Sequence, residues 1–262
     1  MVVTNDLMYK MIFKRKSFHF FRDLHTKVEF KNSLNITERE IEKIYDVFKS
    51  LKPLDENIKV DIRIVSNDKT TCNRCQEYVI LFYSEKKNNY LQNIGFIGEQ
   101  LDLYLNSLDI GVLWFGIGKT ELTEYNGMSF VTMMAIGKCP SDKFRSNMFK
   151  SKRKAIEEIW EMQEYLNIAN IVRFAPSSCN TQPWITKKEG NCLKVYRYKK
   201  PGKRGIMAKN KVVYQNLIDI GIFLLFLDVT LTYEKINHKI NLVDDYPEND
   251  NELTLSAIIE II

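Results

Sequence analysis

The chain has 262 residues, 45% hydrophobic and 27% charged, with a formal net charge of +5. That balance is ordinary for a globular protein and gives enough length for one large domain or two smaller ones. Five scattered cysteines, an odd number, argue against a disulfide framework and for reduced thiols in a cytoplasm.

The N-terminal stretch MVVTNDLMYKMIFKRKS has no uninterrupted apolar core and no small-residue cleavage site, so no signal peptide is expected there. Thr37 and Glu40 form the sequence pattern of a capping box, ahead of Ile41, Ile44, Tyr45, Phe48 and Leu51 at helical spacing. VDIRIV and EYVILFYS read as strands on either side of Cys72 and Cys75. That CNRC pair reads as a loop with two incidental thiols, because no second spaced pair completes a zinc site. A long helix is predicted from about Asn89 to Ile110, ending at Gly111, where a C-terminal glycine belongs. MSFVTMMAIG is a strand, and Ser151 to Val172 is predicted as a second long helix. After the strand NCLKVYRY comes the most apolar window, Val212 to Leu231. It carries Gln215, Asn216, Asp219 and Asp228, so it reads as a buried helix and not a membrane span. The chain closes on the strand ELTLSAIIEII. Basic runs at Lys14 to Lys16, Lys150 to Lys154 and Lys199 to Gly205 read as solvated surface when each is taken alone.

The chain resembles itself at an offset of 123 positions. Pro53 and Asn57 correspond to Pro176 and Asn180, and Gln92, Asn93 and Gly98 correspond to Gln215, Asn216 and Gly221. The strand beginning at Met128 falls on Asn251. A single offset shared by three elements predicts an internal duplication, in which two half-units pack their long helices as a homodimer would.

RFAPSSCNTQPW, from Arg173 to Trp184, is rich in small side chains and amide donors, suited to a polar ligand lying flat on the backbone. Its APSSCNTQPW portion resembles the flavin-contacting loop of the FMN-dependent nitroreductase superfamily. RKSFHFF, from Arg15 to Phe21, resembles that family's phosphate segment. LDIGVLWFGIG, from Leu108 to Gly118, resembles its turn after the long helix, and KRKAIEEI, from Lys152, its basic segment. The order of these matches is similar to that of the tandem, single-chain subgroup. The resemblance implies an α+β, nitroreductase-like fold, duplicated as a pseudo-dimer with two helix-flanked sheets and long central helices. The half carrying the phosphate segment would span 1–150, and the half carrying the ring loop 151–262.

The resemblance also implies one FMN, bound between the halves. Arg15, Lys16, Ser17, His19 and Arg153 would hold the phosphate. Pro176, Ser177, Ser178 and Asn180 would line the ring, and Gly116, Ile117 and Gly118 would allow close backbone approach. Charge-assisted bonds of this kind contribute about 1.5–3 kcal/mol each. The first half has PLDEN where the ring loop would stand, and the second lacks the phosphate segment, so only one cleft is complete. Lys16 and His19 replace the family's arginines, and His19 reads equally as a ring packed among Phe18, Phe20 and Phe21. Cys179 reads as a small residue and Trp184 as core packing.

No side chain stands out as acid or base, and no catalytic or metal-ligating residue is assigned. By resemblance, the activity is NAD(P)H-driven, two-electron reduction of a nitro, quinone or related small-molecule acceptor. Basic residues in Lys199 to Lys211 could steer the donor's phosphates or form a surface loop. The rivals are a flavin carrier or redox sensor without turnover, and a nucleic-acid-binding protein, for which no module is visible. No membrane partner is expected, and a fused pair can act as a monomer.

Overall fold

The computed structural model describes residues 3–199 and 204–262. In chain order come helices α1 (Asn5–Lys14) and α2 (Glu38–Ser50), strands β1 (Val60–Ser66) and β2 (Tyr78–Ser84), and helix α3 (Tyr90–Ser107). Strands β3 (Ile110–Trp114), β4 (Glu124–Tyr125), β5 (Met128–Lys138) and β6 (Trp160–Glu161) follow, then helix α4 (Leu166–Val172). Strands β7 (Trp184–Glu189) and β8 (Cys192–Tyr198), helix α5 (Val212–Tyr233) and strands β9 (His238–Leu242) and β10 (Leu253–Ile261) complete it. The chain divides into two compact units, Met1–Lys86 with Gln100–Asn147, and Lys87–Glu99 with Met148–Ile262. The break after Asn147 lies close to the expected boundary at 150, but the first half of α3 belongs to the second unit.

In the first unit an antiparallel sheet runs β1-β2-β5-β3, with β4 paired to β5. Strand β2 (YVILFYS) is buried almost throughout, as a central strand covered on both faces must be. Strand β5 buries eight of its eleven residues beside it, with Leu81 opposite Met133 and Val79 opposite Ala135. Helix α2 starts where the sequence places it. The Thr37 hydroxyl accepts from Glu40 N, and the Glu40 carboxylate accepts from Thr37 N, which satisfies two orphan donors reciprocally.

The second unit repeats this order of connections. Its sheet runs β6-β7-β8-β10-β9, antiparallel apart from the short β6 on β7. Thus β1, β2, a long helix, β3 and β5 of the first unit find β7, β8, a long helix, β9 and β10 in the second. Helix α5 is buried along nearly its whole length, which explains its lack of an amphipathic stripe. By length and composition it could cross a membrane, but 89% of its most apolar window is covered by protein. Within this unit α5 and the first half of α3 meet at glycine. A Cβ on Gly221 would lie 1.9 Å from Gln92 O, and one on Gly95 would lie 2.1 Å from Ile218 O. Only glycine allows two helix backbones that close.

Two sequence expectations fail. The predicted helix over Ser151 to Val172 is a 3₁₀ turn at Ile156–Glu158, strand β6 and the short α4. Thr186 N donates to Ile159 O, and Trp160 pairs with Thr186, so the edge of the second sheet captures residues whose spacing also suits a helix. Tyr165, at φ 57°, then turns the chain into α4. The other failure concerns α3, which stops at Ser107 and not near Ile110. Its reversal is made by Asp109 at φ 56°, while Gly111 lies inside β3, packed against Cys139 and Phe18.

Candidate functional site

In the second unit the predicted ring loop sits on α5. Pro176 is buried, Ser177 and Ser178 are half-buried, and Cys179 and Asn180 are exposed. Cys179, Asn180 and Gln182 all have left-handed backbones, with φ of 51°, 54° and 49°. Three such residues so close together are uncommon and are held only where surrounding contacts over-determine them. The Ser177 hydroxyl accepts from Gln182 N at 2.9 Å. Ser178 is turned inward: its N–H donates to Asp219 Oδ1 at 2.9 Å, and its Oγ stands 3.2 Å from the same oxygen and 3.4 Å from Gln215 Oε1.

The predicted basic segment meets this loop. Lys154 N donates to Gln182 Oε1 and Lys154 Nζ to Gln182 O, both at 2.8 Å. Asn180 Nδ2 donates to Lys152 O at 3.3 Å. Arg153 bonds backbone oxygens of Lys152 and Phe174 and lies over the Phe174 ring. Trp184 is core, stacked on Phe223 with centroids 4.7 Å apart.

The predicted phosphate segment lies in the first unit, directly after α1. Ser17 bridges Val112 of β3, and Phe18 N donates to Val112 O. Lys16, Ser17 and His19 line a cavity of about 200 Å³ together with Phe18, Arg22, Asp23 and Lys143. Three of these side chains are cationic and only Asp23 is a carboxylate. Backbone N–H groups of Thr26 and His25, and the Lys143 ammonium, hold Asp23 well below the usual carboxylate range, so it stays ionised. His19 is exposed and is not packed among Phe18, Phe20 and Phe21.

Arg15 lies behind this cavity, 2% exposed. Its Nε and Nη2 donate to Asp102 Oδ2 at 2.9 Å, and Nη1 and Nη2 reach Ser17 Oγ at 3.5 and 3.4 Å. Burial pushes the Asp102 carboxyl up, while Arg15, Asn106 and Trp114 pull it back. Arg145, tied through its N–H to Lys14 O, is brought down to about 10 by burial and by the neighbouring Arg15 charge. Gly116 and Ile117 form an exposed turn after β3. Gly118 leaves room for Met133, whose Sδ would lie 2.4 Å from an added Cβ.

Sequence reasoning missed Arg22, Lys143, Asp102 and Asp219 as parts of these sites. Asp219 did leave a signal, since it is an acid in the middle of the most apolar window, whereas Asp102 stands in a helix that also carries Glu99, Gln100 and Asn106 and did not stand out. Arg22 and Lys143 left none, because sequence-distant loops bring them together. The basic run from Lys199 lies partly outside the described residues, which omit 200–203. Burial pushes the thiol of Cys72 to about 11 and that of Cys139 to about 12, so neither is a ready nucleophile.

This fold and these segments define a nitroreductase-type chain. The family model described as "Putative TM nitroreductase" matches residues 8–231, and the chain belongs to that family, a family of oxidoreductases. A crystal structure described as a putative nitroreductase from Thermotoga maritima MSB8 is 18% identical and has a TM-score of 0.60. It covers 100% of this chain and 94% of that one, which shows the shared fold. A nitroreductase family protein from Clostridium difficile 630 matches at 12% identity and TM-score 0.42, over 60% of this chain and 97% of its own. One from Parabacteroides distasonis, described as a putative NADH dehydrogenase/NAD(P)H nitroreductase, matches at 12% and 0.41, over 58% and 95%. No curated protein matches the chain.

Proposed function

We propose that this chain is an FMN-dependent oxidoreductase that draws on NAD(P)H to reduce nitro, quinone-type or related acceptors by two electrons. The observation that carries the reading is the loop over Pro176 to Gln182, held in a left-handed conformation against α5, with the basic segment Lys152 to Lys154 fastened to it.

The residues present fit the cofactor. Ser177 keeps its hydroxyl proton for a ligand, since its oxygen is an acceptor within the loop, and Asn180 and Cys179 face solvent. These would hold the polar edge of a flat heterocycle. The cavity beside Ser17 has the volume and the cationic excess for a phosphate, with Lys16, Arg22 and Lys143 as charges and Ser17 as a hydroxyl. In this reading Arg15 fixes Ser17 and the segment around it while its own charge is balanced by Asp102. FMN, when bound, supplies the hydride chemistry, and this chain supplies binding and orientation. We assign no catalytic side chain.

We also read the chain as an internal duplication that works as a monomer with one FMN. The shared order of strands in the two sheets supports this, and so does the helix crossing, where Gly95 meets residue 218, its own counterpart at the offset of 123. The intact ring loop and the phosphate segment each occur once in the sequence. Five unpaired thiols support a reducing, cytoplasmic setting.

The test is reconstitution with FMN, followed by gel filtration and absorbance. One equivalent of flavin per chain is expected, bleached by NADH or NADPH and restored by a nitroaromatic. Failure to retain flavin would overturn the reading. Retention without bleaching by either nicotinamide would favour a carrier.

A further inference from the structure

Helix α5 buries an acid that the proposed chemistry does not use. Asp219 is 2% exposed, and its Oδ1 faces both the N–H and the hydroxyl of Ser178. Its Oδ2 is buried with no hydrogen-bond partner among the described residues, and no cation pairs with it there. Several titratable groups on elements packed near α5 are engaged elsewhere. Arg173, after α4, directs Nη1 to Lys154 O, and Arg197 of β8 is spoken for by Asp245. His238 of β9 bonds Asp228, Tyr90 of α3 bonds Tyr214, Lys211 lies over the Tyr214 ring, and Glu99 of α3 is also partnered.

A buried carboxyl in this setting has a clear preference. As a carboxylate it would place a full charge on an oxygen with no donor, which is expensive in a medium of low dielectric. As a neutral acid it still accepts the Ser178 N–H, and that bond fixes the residue before the left-handed pair Cys179 and Asn180. The two residues exposed for a ligand are thus oriented through Ser178, whose own hydroxyl points away from solvent.

We infer that Asp219, in its neutral form, is a positioning residue. Through Ser178 it holds the loop over Ser177 to Gln182 in the shape that receives the flavin ring edge. Ionisation leaves a charge on the donorless Oδ2, draws the carboxyl toward water and so releases that shape. This rests on the flavin reading above. Burial raises the carboxyl to about 8, so the neutral form prevails at neutral pH and gives way above it.

The experiment follows the Ser178 amide by ¹H–¹⁵N NMR across a pH series in the flavin-free chain, and measures FMN affinity by fluorescence titration over the same series. For the wild type, the Ser178 amide shift should titrate with a midpoint near about 8. FMN affinity should then fall above that midpoint, by up to about tenfold per pH unit for a one-proton step. The Asp219→Asn variant keeps the acceptor and replaces the O–H with an N–H. Both profiles should become flat in it. Ser178→Ala removes one of the bonds that favour the ionised form, so its carboxyl should titrate at higher pH than in the wild type. This second variant keeps the test alive if Asp219→Asn fails to fold. A silent Ser178 amide in the wild type, a wild-type pH profile in Asp219→Asn, or an unmoved midpoint in Ser178→Ala would overturn the inference. A wild type that binds no FMN at any pH, yet loses its Ser178 titration in Asp219→Asn, would sink the flavin reading and leave the strut standing.

Discussion

The two proline-containing loops, Pro53 to Asn57 and Pro176 to Asn180, stand at matching positions and have opposite polarity. In the first, Asp55 occupies the place of Ser178. Its carboxylate is partly exposed and turns back on its own loop, accepting from Asn57 N at 2.9 Å and Asn57 Nδ2 at 3.1 Å. In the second, the acid sits in the helix as Asp219, and the loop supplies the hydroxyl and the N–H. The helix position matching Asp219 is Phe96. An acid solvated in a loop closes a turn at little cost. A buried acid ties the loop to the core and fixes its backbone, at a cost retained where a rigid surface is useful.

The sheets differ in the same direction. Strand β2 is apolar through its centre, whereas its counterpart β8 carries the fully buried Arg197. Arg197 Nε and Nη2 donate to Asp245 at 2.7 and 2.9 Å, and Ser256 and Asn249 complete the network. The first sheet thus packs through apolar side chains, its unit's buried Arg15–Asp102 pair lying off the strands, whereas the second sheet carries its buried ion pair on a central strand.

The largest effect expected of this contrast is at Asp245. Its replacement by alanine leaves Arg197 buried without compensation and should cost about 4 kcal/mol in urea-induced unfolding. A loss under ~1 kcal/mol would mean that the network braces nothing. Gly221→Ala should cost about 3 kcal/mol, because the new methyl meets backbone and not a movable side chain. A near-wild-type melting temperature would show that the helices do not cross as closely as described.

Third in size, per pH unit, is a pH dependence that Asp219 contributes in the second unit. Asp219 has a folded pKa above its unfolded value, so the folded state binds the extra proton. Stability on its account is full below the usual carboxylate range and declines as pH rises toward about 8, where the loss levels off. The slope is at most about 1.4 kcal/mol per pH unit, and Asp219→Asn should remove it from melting curves recorded across that window. The smallest effect is expected at Asp55→Ser, which restores the residue type of the intact loop. It should change stability by less than ~0.5 kcal/mol and should not create a second flavin site. Two flavins per chain in that variant would break the comparison outright.

Much of this was legible before any coordinates. The Thr37–Glu40 box, the apolar runs of β2 and β5, and the buried α5 follow from local pattern, since burial on both faces demands continuous apolar sequence. The APSSCN loop was legible as an irregular run of small and amide side chains, and the structure gives it three left-handed residues close together. What escaped reading depended on neighbours. The stretch Ile156 to Glu164 has spacing acceptable to a helix, and only the free edge of β7 decides otherwise. Arg15 could be read as a phosphate ligand until Asp102 appeared beside it, because nothing in local sequence couples residues 87 positions apart. The inward turn of Ser178 was hidden for the same reason.

The amino-acid order by itself determined most of the strands and the buried α5, that only one of the two proline-containing loops carries the PSSCN pattern, and that the two long helices carry glycines at comparable places. Those properties rest on side-chain volume, polarity and backbone freedom, which each residue carries with it. Tertiary packing alone decided which charges are neutralised, which face a hollow, and which hydroxyl points inward. Burial sets the energy of an ionisable group, and burial is a property of the assembled fold.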